Sequence, residues 1–176
     1  MGAIVNAANC TVAPAAGGAF TVTKTGGTDG ASDAGAVSAA ALSGPFLLRV
    51  RPLGAGSCTA GVTANPGSGI APGGIDYGAL ISGGTYRSSD AGVLRPGSFP
   101  ISTYWWVRRG GGTIQYLSGP VLATATLRRT LPDPGTALFF DCAIATAGLS
   151  LEVKFDAPGA FAVRRLRGRL TLGLSF

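Results

Sequence analysis

Histidine does not occur in this chain. Its absence removes every Ser/His/Asp and Cys/His arrangement, together with the imidazole ligands on which many metal sites rely. Acids are scarce as well: Asp and Glu number eight in 176 residues, and Glu152 is the sole glutamate. Glycoside hydrolysis needs two carboxyl groups about 5–9 Å apart, one to protonate the leaving oxygen and one to attack or to activate water. The segment LSLEVKF around Glu152 carries no second carboxylate on the same face, and Asp141 stands in a different, strongly apolar segment. Catalysis is therefore not expected, and the residues require neither a metal nor a cofactor.

The three cysteines, Cys10, Cys58 and Cys142, are odd in number and widely spaced, which suits neither a disulfide framework nor a zinc site. Reduced, mostly buried thiols are the expectation, with a Cys10–Cys58 bridge as the alternative. No apolar run approaches the roughly 18 residues of a membrane helix, since Gly, Ser, Thr or Arg interrupts each one, so no membrane insertion is expected. MGAIVNAANC lacks the basic start and long apolar stretch of a signal peptide, which predicts cytoplasmic synthesis or export without such a signal. Nor does any window hold a 3.6-residue apolar period over a helix length. The best helical candidate, SDAGAVSAAAL at 32–42, contains Gly35 and is flanked by TGGTDG and SGP, and it reads as a loop with at most one helical turn.

What the sequence does have is apolar and turn-forming residues. The hydrophobic fraction is 46% against 12% charged, enough to offset the entropy of ordering one domain. Gly 29 and Pro 11 suit many short strands joined by tight turns. Strands are predicted at 19–24, 45–53, 57–64, 75–82, 103–109, 113–117, 120–127, 137–145, 149–155 and 165–176. That many strands in one chain need two sheets or a barrel. Gly110, Gly111 and Gly112 between TYWWVRR and TIQYL predict a hairpin. In LSLEVKF, residues Leu149, Leu151, Val153 and Phe155 alternate inward, whereas ALFFDCAIA reads as a central strand buried on both faces. RLRGRLTLGLSF alternates to its last residue and predicts an outer strand or an oligomerising extension over 164–176. No linker, charge block or internal repeat is evident.

The net charge of +6 comes mainly from arginine. Arg164, Arg165, Arg167 and Arg169 cluster near the C-terminus and are candidates for a subunit contact or an anionic partner. Nucleic acid is disfavoured as that partner, because no aromatic residue interleaves the basic ones.

From about Cys58 to Phe155 the order of features resembles the concanavalin A-like lectin/glucanase sandwich, in the broad form that includes SPRY and laminin G-like domains and many phage tail-fibre and head-spike modules. SCTAGVTANP, IDYGALISGGTYRSSDAG, TYWWVRRGGGTIQYLSGPVL and ALFFDCAIATAGLSLEVKF carry the likeness in strand order and turn glycines. The resemblance implies an all-β, two-sheet antiparallel jelly-roll sandwich. It also implies a non-enzymatic virion component of a bacteriophage or phage-like particle, made in the bacterial cytoplasm. A fibre, spike or decoration protein of this kind would contact other virion proteins, form a homo-oligomer and attach to a host-surface polysaccharide. The alternative is a purely structural assembly subunit that makes protein contacts only.

Sugar binding uses an aromatic face with polar groups beside it. The candidates are Tyr104, Trp105, Trp106, Tyr116, Tyr77, Tyr86, Asp76, Asp90, Arg87 and Arg108. Adjacent in a strand, Trp105 and Trp106 must point to opposite faces, so one of them is core and the other is left for a ligand or a second subunit. Asp29 and Asp33, in TGGTDGASDAG, either offer oxygen ligands to a calcium ion or bond their own turn amides.

Overall fold

Alternating side chains decide this architecture, because each such strand has one face to bury and one to leave. The computed structural model describes residues 4–66, 74–100 and 104–156. Its strands are β1 (Ile4–Ala8), β2 (Cys10–Ala15), β3 (Ala19–Lys24), β4 (Ala34–Ser38), β5 (Phe46–Pro52), β6 (Cys58–Thr63), β7 (Tyr77–Ser82), β8 (Thr85–Asp90), β9 (Val93–Leu94), β10 (Phe99–Pro100), β11 (Tyr104–Gly110), β12 (Thr113–Gly119), β13 (Thr126–Pro132), β14 (Phe139–Ile144) and β15 (Ser150–Asp156). Sheet A runs β1-β4-β14-β6-β7-β8-β10, with β9 also on β8, and sheet B runs β13-β12-β11-β5-β15-β3-β2. Neighbours pair antiparallel throughout both sheets. The fold is the two-sheet antiparallel sandwich expected from the sequence.

The core lies between the sheets. Sheet A contributes Ala36, Cys58, Ala60, Val62, Ala79, Ile81, Phe140, Cys142 and Ile144, and sheet B contributes Val22, Leu48, Val50, Trp105, Val107, Ile114, Tyr116, Leu151 and Val153. Phe140 meets Phe155 edge-on across the gap, with ring centroids 5.7 Å apart. The inward run in LSLEVKF is as its alternation predicts: Leu149, Leu151 and Val153 are buried and Phe155 packs against the core. β14 sits between β4 and β6, and all but its first residue are buried.

The TYWWVRR–TIQYL hairpin forms with Gly110 opposite Thr113. Gly111 and Gly112 turn it at φ of 60° and 72°, the left-handed pair that matches strand twist and that side-chain-bearing residues resist. A second glycine pair has a packing role. Gly61 and Gly78 are cross-strand partners on β6 and β7, and a Cβ on either would come within 3 Å of the Ile75 side chain. The missing side chains leave a notch that Ile75 fills.

Two expectations are corrected. Residues 32–42 are not a loop with a helical turn, because Ala34–Ser38 forms β4 between β1 and β14. Its small residues have little strand propensity of their own; pairing on both sides and burial of Ala34 and Ala36 decide the conformation. Residues 120–127 are not a strand either. Leu122–Thr124 makes a 3-10 turn and the strand is Thr126–Pro132, since Leu122 and Ala125 fold back onto Trp106 instead of entering a ladder. Strands β1, β2, β8, β9 and β10 were not anticipated. The strand expected over 165–176 and the arginines 164, 165, 167 and 169 lie outside the described residues.

The cysteines are all free, so the alternative Cys10–Cys58 bridge is not formed. Burial pushes the Cys58 thiol up to about 12. The calcium alternative for Asp29 and Asp33 is also superseded, because both carboxylates already have partners. Asp29 Oδ1 accepts from the Ala147 amide at 2.8 Å, and Asp33 Oδ2 accepts from the Thr28 amide at 2.7 Å. The cation beside Asp33 is the chain's own Lys24, whose Nζ donates to Asp33 Oδ1 (2.6 Å) and to the carbonyls of Thr28 (2.8 Å), Ala31 (2.7 Å) and Ala145 (3.0 Å). Lys24 thus ties the loop at 25–33 to the end of β14.

Candidate functional site

The aromatic residues picked out from the sequence divide between two environments. Trp105, Tyr86 and Tyr116 belong to the core. Trp105 is 5.5 Å from Tyr116 and 6.5 Å from Tyr86, ring centre to ring centre, and each of the three is about 1% exposed. The Tyr116 hydroxyl donates to the Ser89 carbonyl at 2.6 Å, joining the two sheets, and burial drives that phenol far above its ordinary pKa. As positioned, none of these rings has a face to offer a sugar.

Asp90 is likewise interior. Its Oδ2 takes Arg95 Nε at 2.8 Å and Arg129 at 2.5 Å, with the Asp90 side chain only 4% exposed. Arg129 reaches it from the opposite sheet because the β12–β13 register slips between Tyr116 and Leu117. The bulge leaves Arg128 as the extra residue, stacked 5.3 Å from the Phe99 ring centre in sheet A and bonded to Ser118 Oγ. Arg87 is exposed on β8, apart from the others, with Nε donating to the Arg95 carbonyl at 3.4 Å.

Tyr104, Trp106 and Arg108 lie together on the outer face of sheet B. Alternation puts them on the opposite side of β11 from Trp105 and Val107, and register places them beside β5 and β12: Trp106 faces Arg49 and Leu117, while Arg108 faces Leu47 and Gln115. Trp106 is 2% exposed, covered by Leu47, Leu117, Tyr104, Leu122 and Ala125. The expectation that the outward tryptophan is left bare for a ligand or a subunit is therefore corrected: the chain's own 3-10 turn covers it.

Tyr104 is the half-exposed ring of this face. The guanidinium carbons of Arg49 and Arg51 lie 4.5 and 4.9 Å from its centre, within cation–π range. Both arginines share Glu152 of β15, Arg49 on Oε1 at 2.9 Å and Arg51 on Oε2 at 2.6 Å. Lys154 pairs with Asp156 at 3.0 Å, and Arg108 donates two bonds to the neutral Gln115 Oε1. Among the described residues, Arg49, Arg51, Arg108 and Lys154 thus face the carboxylates of Glu152 and Asp156. Beyond them, Val121 and Leu127 are 55% and 50% exposed, and Leu127 is the cross-strand partner of Leu117.

Sequence reasoning reached Tyr104, Trp106 and Arg108 but missed Arg49, Arg51, Gln115 and Lys154. The signal was available in FLLRVRP, where Arg49 and Arg51 alternate with the core residues Leu48 and Val50. Both oxygens of Glu152, the sole glutamate, are occupied by guanidiniums. Among the described residues no group of three or more Cys, Asp and Glu is placed to hold a metal, and no helix is long and apolar enough to cross a membrane.

Comparison with solved structures agrees with this architecture. The chain is similar to the TRIM65 PSpry domain, with a TM-score of 0.59 and 12% identity over 85% of this chain and 92% of that one. It is also similar to the SPRY domain of human HERC1, with a TM-score of 0.53 and 13% identity over 86% and 94%. The fold is the concanavalin A-like sandwich of SPRY domains. Stonustoxin contains a similar unit, with a TM-score of 0.56 and 15% identity over 88% of this chain and 27% of the toxin chain. At such identities the likeness concerns the fold alone. No protein-family profile and no curated protein sequence matches the chain.

Proposed function

We propose that this protein is a non-enzymatic recognition module that binds a saccharide on the outer face of sheet B. The observation that carries the reading is Tyr104, a half-exposed ring held under two guanidiniums on a rigid sheet. Aromatic and guanidinium groups clustered in this way offer a sugar apolar surface to pack on and fixed donors to orient its hydroxyls. The only glutamate is engaged by two arginines and serves to place them, which supports a role without bond cleavage. The proposed setting, a bacteriophage or phage-like particle with a host-surface glycan as target, rests on the resemblance in strand order and turn glycines.

An array of bacterial surface glycans tests this reading. The wild-type chain is expected to bind at least one saccharide, and Tyr104→Ala to lose that binding at least tenfold while its thermal unfolding stays close to wild type. Equal binding by Tyr104→Ala, or no binding to any glycan, would contradict it.

A second reading, a structural subunit making protein contacts only, is favoured by the exposed Val121 and Leu127 beside the Trp106 cluster. It requires a self-associating chain whose oligomer is dissociated by Leu127→Asp in sedimentation experiments.

A further inference from the structure

We infer that the saccharide taken by the Tyr104 face is a carboxylate-bearing one, built from uronic or nonulosonic acid units. The inference rests on the saccharide reading above and adds the charge of the ligand to it. Arg49 and Arg51 divide a single carboxylate between them, and the next carboxylate along β15, Asp156, is engaged by Lys154. Arg108, two residues beyond Trp106, has a neutral partner. Among the described residues, the face therefore carries cationic charge that its own acids do not balance.

A guanidinium has five N–H donors in a planar fork that matches a carboxylate. Each of Arg49 and Arg51 gives Glu152 one terminal nitrogen. Their side chains are 24% and 33% exposed against 15% for Glu152, so a ligand meets the cations before it meets the acid. Glu152 acts as a positioning residue, holding the forks over the Tyr104 ring, with the ordering cost met before any ligand arrives. A neutral sugar would gain packing and ordinary hydrogen bonds from the same groups; an acidic one would add charge-assisted hydrogen bonds to arginines already in place.

The test uses the full chain and two matched probe pairs: a galacturonic acid hexamer with its methyl ester, and a sialic acid trimer with its methyl ester. Each ester keeps the sugar and removes the charge. Titration calorimetry at low salt is expected to give at least tenfold tighter binding of one acid form than of its ester, with the gap narrowing as sodium chloride is raised. Arg51→Gln is expected to weaken the acid form more than the ester and so to close most of the gap, and Arg51→Lys to keep part of it. The wild-type comparison stands whether or not these variants fold. Equal binding of acid and ester, or binding of neither while the array finds a neutral glycan lost in Tyr104→Ala, overturns the anionic ligand and leaves the saccharide reading intact. Binding to no saccharide of any charge overturns both.

Discussion

Trp105 and Trp106 are consecutive residues, equally buried, and differ in what buries them. Trp105 is walled in by both sheets, with Tyr86 on one and Tyr116 on the other. Trp106 is covered from one side by a three-residue turn and a few neighbours on its own sheet. The contrast extends to the polar groups. Lys24 with Asp33 and Arg109 with Asp133 are one-to-one pairs in which the cation is buried, whereas on the outer face of sheet B Arg49 and Arg51 share one acid and Arg108 has a neutral partner. Burial alone therefore does not tell a framework residue from one that underlies a contact surface; the origin of the covering atoms does.

The comparison is sharpened most by truncation. Trp105→Ala opens a cavity between the sheets and is expected to cost about 3–5 kcal/mol, enough to unfold a marginal domain. Trp106→Ala, whose cover can collapse onto the gap, is expected to cost clearly less. Chemical denaturation of the two variants checks the order, and equal losses would remove the distinction between the two layers. Lys24→Met is expected to cost about 3 kcal/mol, since it leaves the Asp33 carboxylate and three carbonyls without their shared donor. Denaturation measures that loss as well, and a neutral effect would show that the loop at 25–33 needs no internal cation.

A weaker effect is expected from pH. The Lys24 ammonium holds the Asp33 carboxyl below its usual range, and the Arg109 guanidinium does the same for Asp133. A depressed folded-state pKa contributes stability that is present above the unfolded value, near about pH 4, and is lost as pH falls through the folded one. Cys58 is raised to about 12, so its contribution is full below the unfolded thiol value of about 8.5 and fades as pH climbs from there toward the folded value. With no histidine in the chain, thermal unfolding should be flat between about pH 5 and pH 8 and fall on either side. A step near pH 6.5 would contradict this account.

How much of this was legible in the sequence follows the same division. Strands whose large apolar residues alternate, such as β3, β5, β11 and β15, were readable because their own side chains dictate burial. The hairpin was readable because two left-handed glycines have little other use. β4 and β8 were not, since AGAVS and TYRSSD gain their conformation from neighbours on both sides, information held elsewhere in the chain. Within the candidate site, Tyr104 and Arg108 were legible as polar and aromatic residues on an alternating strand. Arg49 and Arg51 join them only through the β5–β11 register, which no local pattern specifies.

The two tryptophans also supply the most direct measurement of where a ligand is received. Trp105→Phe leaves Trp106, 5.7 Å from the Tyr104 ring centre, as the only indole in the chain. Titration of that variant with the galacturonic acid hexamer or the sialic acid trimer should change its fluorescence to saturation, while Trp106→Phe, reporting from the core, stays silent. A response from Trp105 alone, or calorimetric binding with Trp106 unmoved, would place the contact surface somewhere other than the outer face of sheet B.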